Sequence, residues 1–167
     1  MDPVDKTTLE DAQNALNIKK IVLWKSAIDM AERSVNDHLK FENAVAQTYS
    51  GCSKAQEVQG ENQEGKEVFT YLFYFEAGIR LVEKGHDDVP DDSVTPLAAI
   101  TATFVANYYS ESKLSVESVK AFAANNAGFN VWPFWREYVQ STCCRLGIEP
   151  IEVPLFRCKQ IKSNSTR

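Results

Sequence analysis

Phe69-Thr70-Tyr71-Leu72-Phe73-Tyr74-Phe75-Glu76-Ala77-Gly78-Ile79-Arg80-Leu81 is the stretch that decides the fold class of this chain. Phe69, Tyr71, Phe73, Phe75, Ala77, Ile79 and Leu81 share one parity, and Thr70, Leu72, Tyr74, Glu76, Gly78 and Arg80 share the other. Successive side chains of a strand point to opposite faces, so this period of two predicts a strand with one buried face. A run of roughly sixteen residues at about 3.3 Å each spans ~50 Å, which is long for a strand in a small domain.

Three further strands lie around it. Leu97–Ser110 puts Ala98, Ile100, Ala102, Phe104, Ala106 and Tyr108 on one side and lighter residues on the other. Ile18 to about Glu32 carries apolar residues on both parities (Ile18, Val22, Trp24, Ile28 and Ile21, Leu23, Ala27). Either both of its faces are covered or a bulge switches its register. Leu39 to about Cys52 aligns Leu39, Phe41, Val45 and Tyr49. The connections are polar. Residues 53–66, with Gly60 and Gly65 among Glu and Gln, read as a hairpin loop longer than usual. Residues 83–96 hold Glu83, Asp87, Asp88, Asp91 and Asp92 against Lys84. Pro90 and the missing EF-hand glycine and glutamate favour a solvated turn over a calcium site.

The period then lengthens. Ser115 is placed to cap a helix, with Glu117 in its first turn and Val116, Val119, Phe122 and Ala123 as its apolar stripe. Asn125, Asn126 and Gly128 interrupt it. A second helix is expected from near Pro133 to Leu146, with Gly147 at its stop. A short helix from Leu9, with Thr8 and Asp11 as a capping box, is expected in the polar N-terminal stretch. Strands followed by helices indicate an α+β fold: a four-stranded antiparallel sheet with helices packed on one face.

The chain has 167 residues, 44% apolar and 25% charged, which is one globular domain's composition. It divides into an N-terminal segment 1–17, a domain 18–156 and a flexible basic tail 157–167, where Arg157, Lys159, Lys162 and Arg167 meet no acid. A net charge of −5 argues against nucleic acid as a partner. There is no apolar run long enough for membrane insertion and no leader-like start, so a cytoplasmic address is expected. His38 and His86 read as solvated. Cys52, Cys143, Cys144 and Cys158 form no C-x-x-C pair and read as reduced thiols. Glu76 with Arg80, and Arg136 with Glu137, read as ion pairs rather than catalytic groups. No nucleotide, hydrolase or metalloprotease fingerprint occurs, so no enzyme activity, cofactor or metal is expected.

The last helix poses the functional question. Trp132, Trp135, Val139, Cys143 and Leu146 make one stripe, and Val131, Phe134 and Tyr138 make a second. One sheet needs one stripe. The other is covered either by the rest of the chain or by a second subunit, which makes Val131, Phe134 and Tyr138 a candidate oligomer interface. After Gly147, Ile148-Glu149-Pro150-Ile151-Glu152-Val153-Pro154-Leu155-Phe156 is extended, because its prolines prevent a helix from continuing.

Trp132-Pro133-Phe134-Trp135-Arg136-Glu137, then Arg145-Leu146-Gly147, then Pro150-Ile151-Glu152-Val153-Pro154, resembles the SecB family of bacterial export chaperones, and its shorter SecB-like branch in particular. With the four strands, the resemblance covers roughly residues 18–156. It implies a SecB-like sheet with a long helix on one face and a homotetramer built as a dimer of dimers. It also implies ATP-independent holding of non-native polypeptides, with the SecA translocase motor as an acceptor. The stretch Arg157–Arg167 departs from the family where its second C-terminal helix would lie. That departure shifts the expectation toward dedicated clients, such as the antitoxin of a toxin–antitoxin system, served by an adaptor chaperone. A client groove is expected between helix and crossover, lined by Trp132, Trp135, Ile148, Ile151, Val153, Leu155 and Phe156; the competing reading of these residues is core.

Overall fold

The computed structural model describes residues 6–32, 43–85 and 94–157. Helix α1 (Lys6–Ala15) precedes strands β1 (Asn17–Met30), β2 (Ala44–Glu61), β3 (Glu67–Glu83) and β4 (Ala98–Ser110). Helix α2 (Val116–Phe122), a π-helical turn (Ala123–Ala127) and helix α3 (Gly128–Leu146) follow. The four strands form one antiparallel sheet in the order β1-β4-β3-β2. The fold is therefore the expected α+β arrangement with helices on one face.

The alternation in β3 positions everything else. Phe69, Tyr71, Phe73, Phe75, Ala77, Ile79 and Leu81 are all buried, as are Ile100, Ala102, Phe104, Ala106 and Tyr108 opposite them on β4. Phe122, Val131, Trp135, Val139 and Cys143 from the helices pack onto that face. Helix α1 buries Leu9 and Ala12, and Leu16 just after it is buried as well. Two tyrosines tie the layers together: the Tyr108 hydroxyl accepts from Asn130 Nδ2 at 2.7 Å, and the Tyr71 hydroxyl accepts from the Leu114 amide at 2.8 Å while donating to Glu57 at 3.0 Å. Burial raises both hydroxyls above the usual tyrosine pKa of 10.0.

Several elements differ from the sequence reading. Residues 53–61 belong to β2, and only the turn 62–66 separates it from β3, held by the Asn62 side chain accepting from the Glu64 and Lys66 amides. The described part of β2 begins at Ala44, so Leu39 and Phe41 lie outside the described residues, as do His38, His86, Cys158 and the acidic residues Asp87–Asp92. In β1 the bulge alternative holds: the register shifts between Ile18 and Lys20 and again between Leu23 and Lys25. The shifts put Trp24 on the sheet face away from the helices, its ring 5.0 Å from that of Tyr74. The described part of helix α1 already runs from Lys6, so Thr8 lies inside it and not at the expected cap position.

The helical C-terminal half is continuous. Ser115 caps it as expected, accepting from the Ser118 amide at 3.0 Å. Asn125 does not break it, because its side-chain amide donates to the Ala121 carbonyl at 2.8 Å inside the π-helical turn. Pro133 sits inside α3, not at its start. It leaves the Phe129 carbonyl without an amide donor four residues on. Gly147 ends the helix in the left-handed region, at φ 68°, where the Gly147 and Ile148 amides reach back to the Cys144 and Cys143 carbonyls. Among the described residues no helix is long and apolar enough to cross a membrane.

Candidate functional site

The left-handed cap at Gly147 turns the chain back along α3, so the crossover 148–157 runs beside the helix instead of extending it. Trp132 fastens the two together, with Nε1 donating to the Pro154 carbonyl at 2.7 Å. Phe156 lies 5.2 Å from the Trp132 ring and 6.2 Å from that of Phe75, and Phe75 is 6.5 Å from Trp132. These three rings join helix, crossover and sheet. The close approach needs Gly128: a Cβ there would stand 2.5 Å from Phe156 Cζ and 2.6 Å from Phe75 Cε2.

Between α3 and the crossover lies a groove of about 880 Å³. Trp132, Ile151, Val153, Leu155 and Phe156, all expected at the site, line it. Leu155 is 74% exposed and offers the largest free apolar surface of the crossover. Val153 contributes a wall but is only 7% exposed, its side chain packed into the core. Ile148 packs against the core and does not line the groove. Trp135, 2% exposed, lies beneath α3 among the core residues and presents no surface to a client. Val131 is likewise fully buried, whereas Phe134, from the same expected interface, is 46% exposed. The buried stripe of α3 is Val131, Trp135, Val139, Thr142 and Cys143, which draws on both stripes read from the sequence. Tyr138 is half-buried, packing beside Trp135 and Phe104.

Phe129 is the groove residue that sequence reasoning missed, 59% exposed on the α3 wall. A signal existed: Phe129, Trp132, Pro133 and Arg136 fall at the i, i+3, i+4, i+7 positions of one helix face. Arg136, Glu137 and Glu152 give the rim charges of both signs. Beyond Phe156, Cys52 stands on β2, where burial pushes its thiol pKa up and its Sγ–H donates to the Lys54 carbonyl. A thiol held protonated is a poor nucleophile. The groove is built for apolar contact, with few polar groups fixed in one geometry.

No protein family matches the sequence, and no curated protein matches it. Among solved structures, the chain is similar to the SecB-like chaperone Rv1957 of Mycobacterium tuberculosis, solved in complex with a ChAD peptide from the HigA1 antitoxin Rv1956. The TM-score is 0.60 at 14% sequence identity, over 93% of this chain and 100% of the other. At that identity the likeness is one of fold: this chain has the SecB-like arrangement of sheet and helices.

Proposed function

We propose that this protein is an ATP-independent chaperone that holds apolar segments of non-native clients in the groove between α3 and the crossover. The carrying observation is the groove itself, about 880 Å³, with Phe129 and Leu155 exposed at its walls. Burial of client surface at ~25 cal/mol per Å² supplies the attraction, and several such sites on one assembly hold a chain through effective concentration. The test is light scattering of aggregating denatured clients. A Phe129→Asp, Leu155→Asp double variant is expected to lose protection by roughly tenfold or more, since each side chain contributes about 1.5–3 kcal/mol when buried. Both residues are exposed, so the fold is retained, which circular dichroism checks. Undiminished protection by the folded variant overturns the groove as the holding site.

The second reading is an adaptor dedicated to one partner, such as an antitoxin. It is favoured by the antitoxin peptide bound to the structural neighbour. A general holdase protects several unrelated clients at stoichiometric ratios; an adaptor protects one and copurifies with it.

Self-association belongs to the same proposal. Edge strand β1 leaves Ile18, Val22, Leu23, Trp24 and Ile28 exposed, and Phe134 is exposed on α3. A long apolar edge of this kind pairs with another chain unless it is covered. A tetramer, a cytoplasmic address and transfer of clients to SecA remain part of the proposal.

A further inference from the structure

A second cleft, of about 510 Å³, adjoins the groove and shares Phe156 with it as a common wall. Its floor is Phe75 and Cys52, and its rim carries Lys120 from α2 and Arg157 at the end of the crossover. Among the described residues no carboxylate lines it. Lys120 and Arg157 are exposed, and neither forms a salt bridge within the described residues. Lys54 borders the cleft too, but its ammonium is stacked 5.0 Å from the Tyr74 ring centroid. The groove proper carries one positive charge, Arg136, against two negative ones, Glu137 and Glu152. The charge therefore changes sign where an extended segment passes Phe156 into the cleft.

We propose that this basic cleft makes the groove selective for client segments whose apolar residues are flanked by Asp or Glu. The inference rests on the holdase reading and adds to it the charge of the preferred client. An extended chain advances ~3.3 Å per residue, so a carboxylate a few positions from the groove-filling side chain reaches Lys120 and Arg157. Each exposed ion pair is worth about two- to fivefold in affinity, and two together give roughly tenfold. The preference arises from complementarity at the rim, which also steers encounter and weakens with salt.

The test uses three labelled peptides with one shared apolar core and flanks of Ser, Glu or Lys, followed by fluorescence anisotropy on the full chain. Glu flanks are expected to bind roughly tenfold tighter than Ser flanks at low ionic strength, and Lys flanks more weakly than Ser. The differences are expected to vanish near 1 M salt, where the Debye length is ~3 Å. A Lys120→Glu, Arg157→Glu double variant is expected to reverse the order. If the Ser-flanked peptide fails to bind, the holdase reading falls. If it binds and Glu flanks add nothing, the charge selectivity alone is overturned. A Glu preference that survives in the double variant overturns the cleft as its source.

Discussion

Trp132 and Trp135 stand three positions apart on α3 and have different surroundings. Trp135 lies in the core, whereas Trp132 is half-buried between groove and crossover, with its indole N–H committed to Pro154. The difference follows from where the core stripe runs, through Val131, Trp135 and Val139 at steps of four. Gly128 is the residue on which the site geometry depends most. Alanine in place of glycine inside a helix ordinarily stabilises by about 1 kcal/mol. Here the added methyl meets the Phe156 and Phe75 rings, and overpacking of that kind costs about 1–3 kcal/mol. Gly128→Ala is expected to lower the urea midpoint and weaken client protection together; a higher midpoint would refute the ring contacts at this position. The sequence showed Trp132, Phe156 and the prolines of the crossover but not which tryptophan faced in. Aromatic residues at 129, 132, 134 and 135 blur a stripe whose true edge is one residue wide. The sequence reading therefore gives Val131 to the interface stripe and Trp135 to the groove, although both are core, and it overlooks Phe129.

Strand β3 and strand β4 were legible because each has one fully buried and one mostly half-buried face, and alternation is the imprint of that difference. Strand β2 has none. Its residues from Ser53 to Glu61 are exposed on both sides at the sheet edge, so composition there is that of a loop. What makes it a strand is hydrogen bonding to β3, from Ala44 opposite Glu83 to Glu61 opposite Glu67. The helical half was misdivided for a related reason. Asparagines and a glycine in sequence resemble a break, yet a π-helical turn accommodates one extra residue while the helix continues. This has a testable consequence. Removing exposed Ala124 is expected to convert the turn to regular helix and leave α3 in register, at a cost of about 1 kcal/mol or less. Removing equally exposed Gln140 rotates everything after it by about 100°. That takes Thr142 and Cys143 out of the core and costs about 2–3 kcal/mol or more. Chemical denaturation of the two deletions measures the difference; equal losses would mean that the turn is a fixed requirement of the fold.

As a whole molecule, the chain has one finished face and several unfinished ones. Among the described residues the helices cover one side of the sheet, and β1 and β2 are its two edge strands. The two edges differ in character. Strand β2 is polar along most of its length and carries Lys54, Glu57 and Glu61, residues that discourage pairing, whereas β1 exposes five large apolar side chains. The asymmetry points association toward β1. Leu23 and Ile28 lie opposite Phe104 and Ile100 on β4, on the helix-bearing side, yet they are exposed among the described residues. A second copy would cover them. The 18.8 kDa chain is accordingly expected to show a multiple of that mass in solution by light scattering. Leu23→Lys with Ile28→Lys is expected to reduce it to the single chain, and Phe134→Lys alone to break a tetramer only as far as a dimer. These side chains are exposed within one chain, so the charged variants leave its core intact, and their circular dichroism should match the parent's. Wild-type protein that runs as a monomer at every concentration would remove self-association from the proposal and leave β1 without an explanation for its apolar surface.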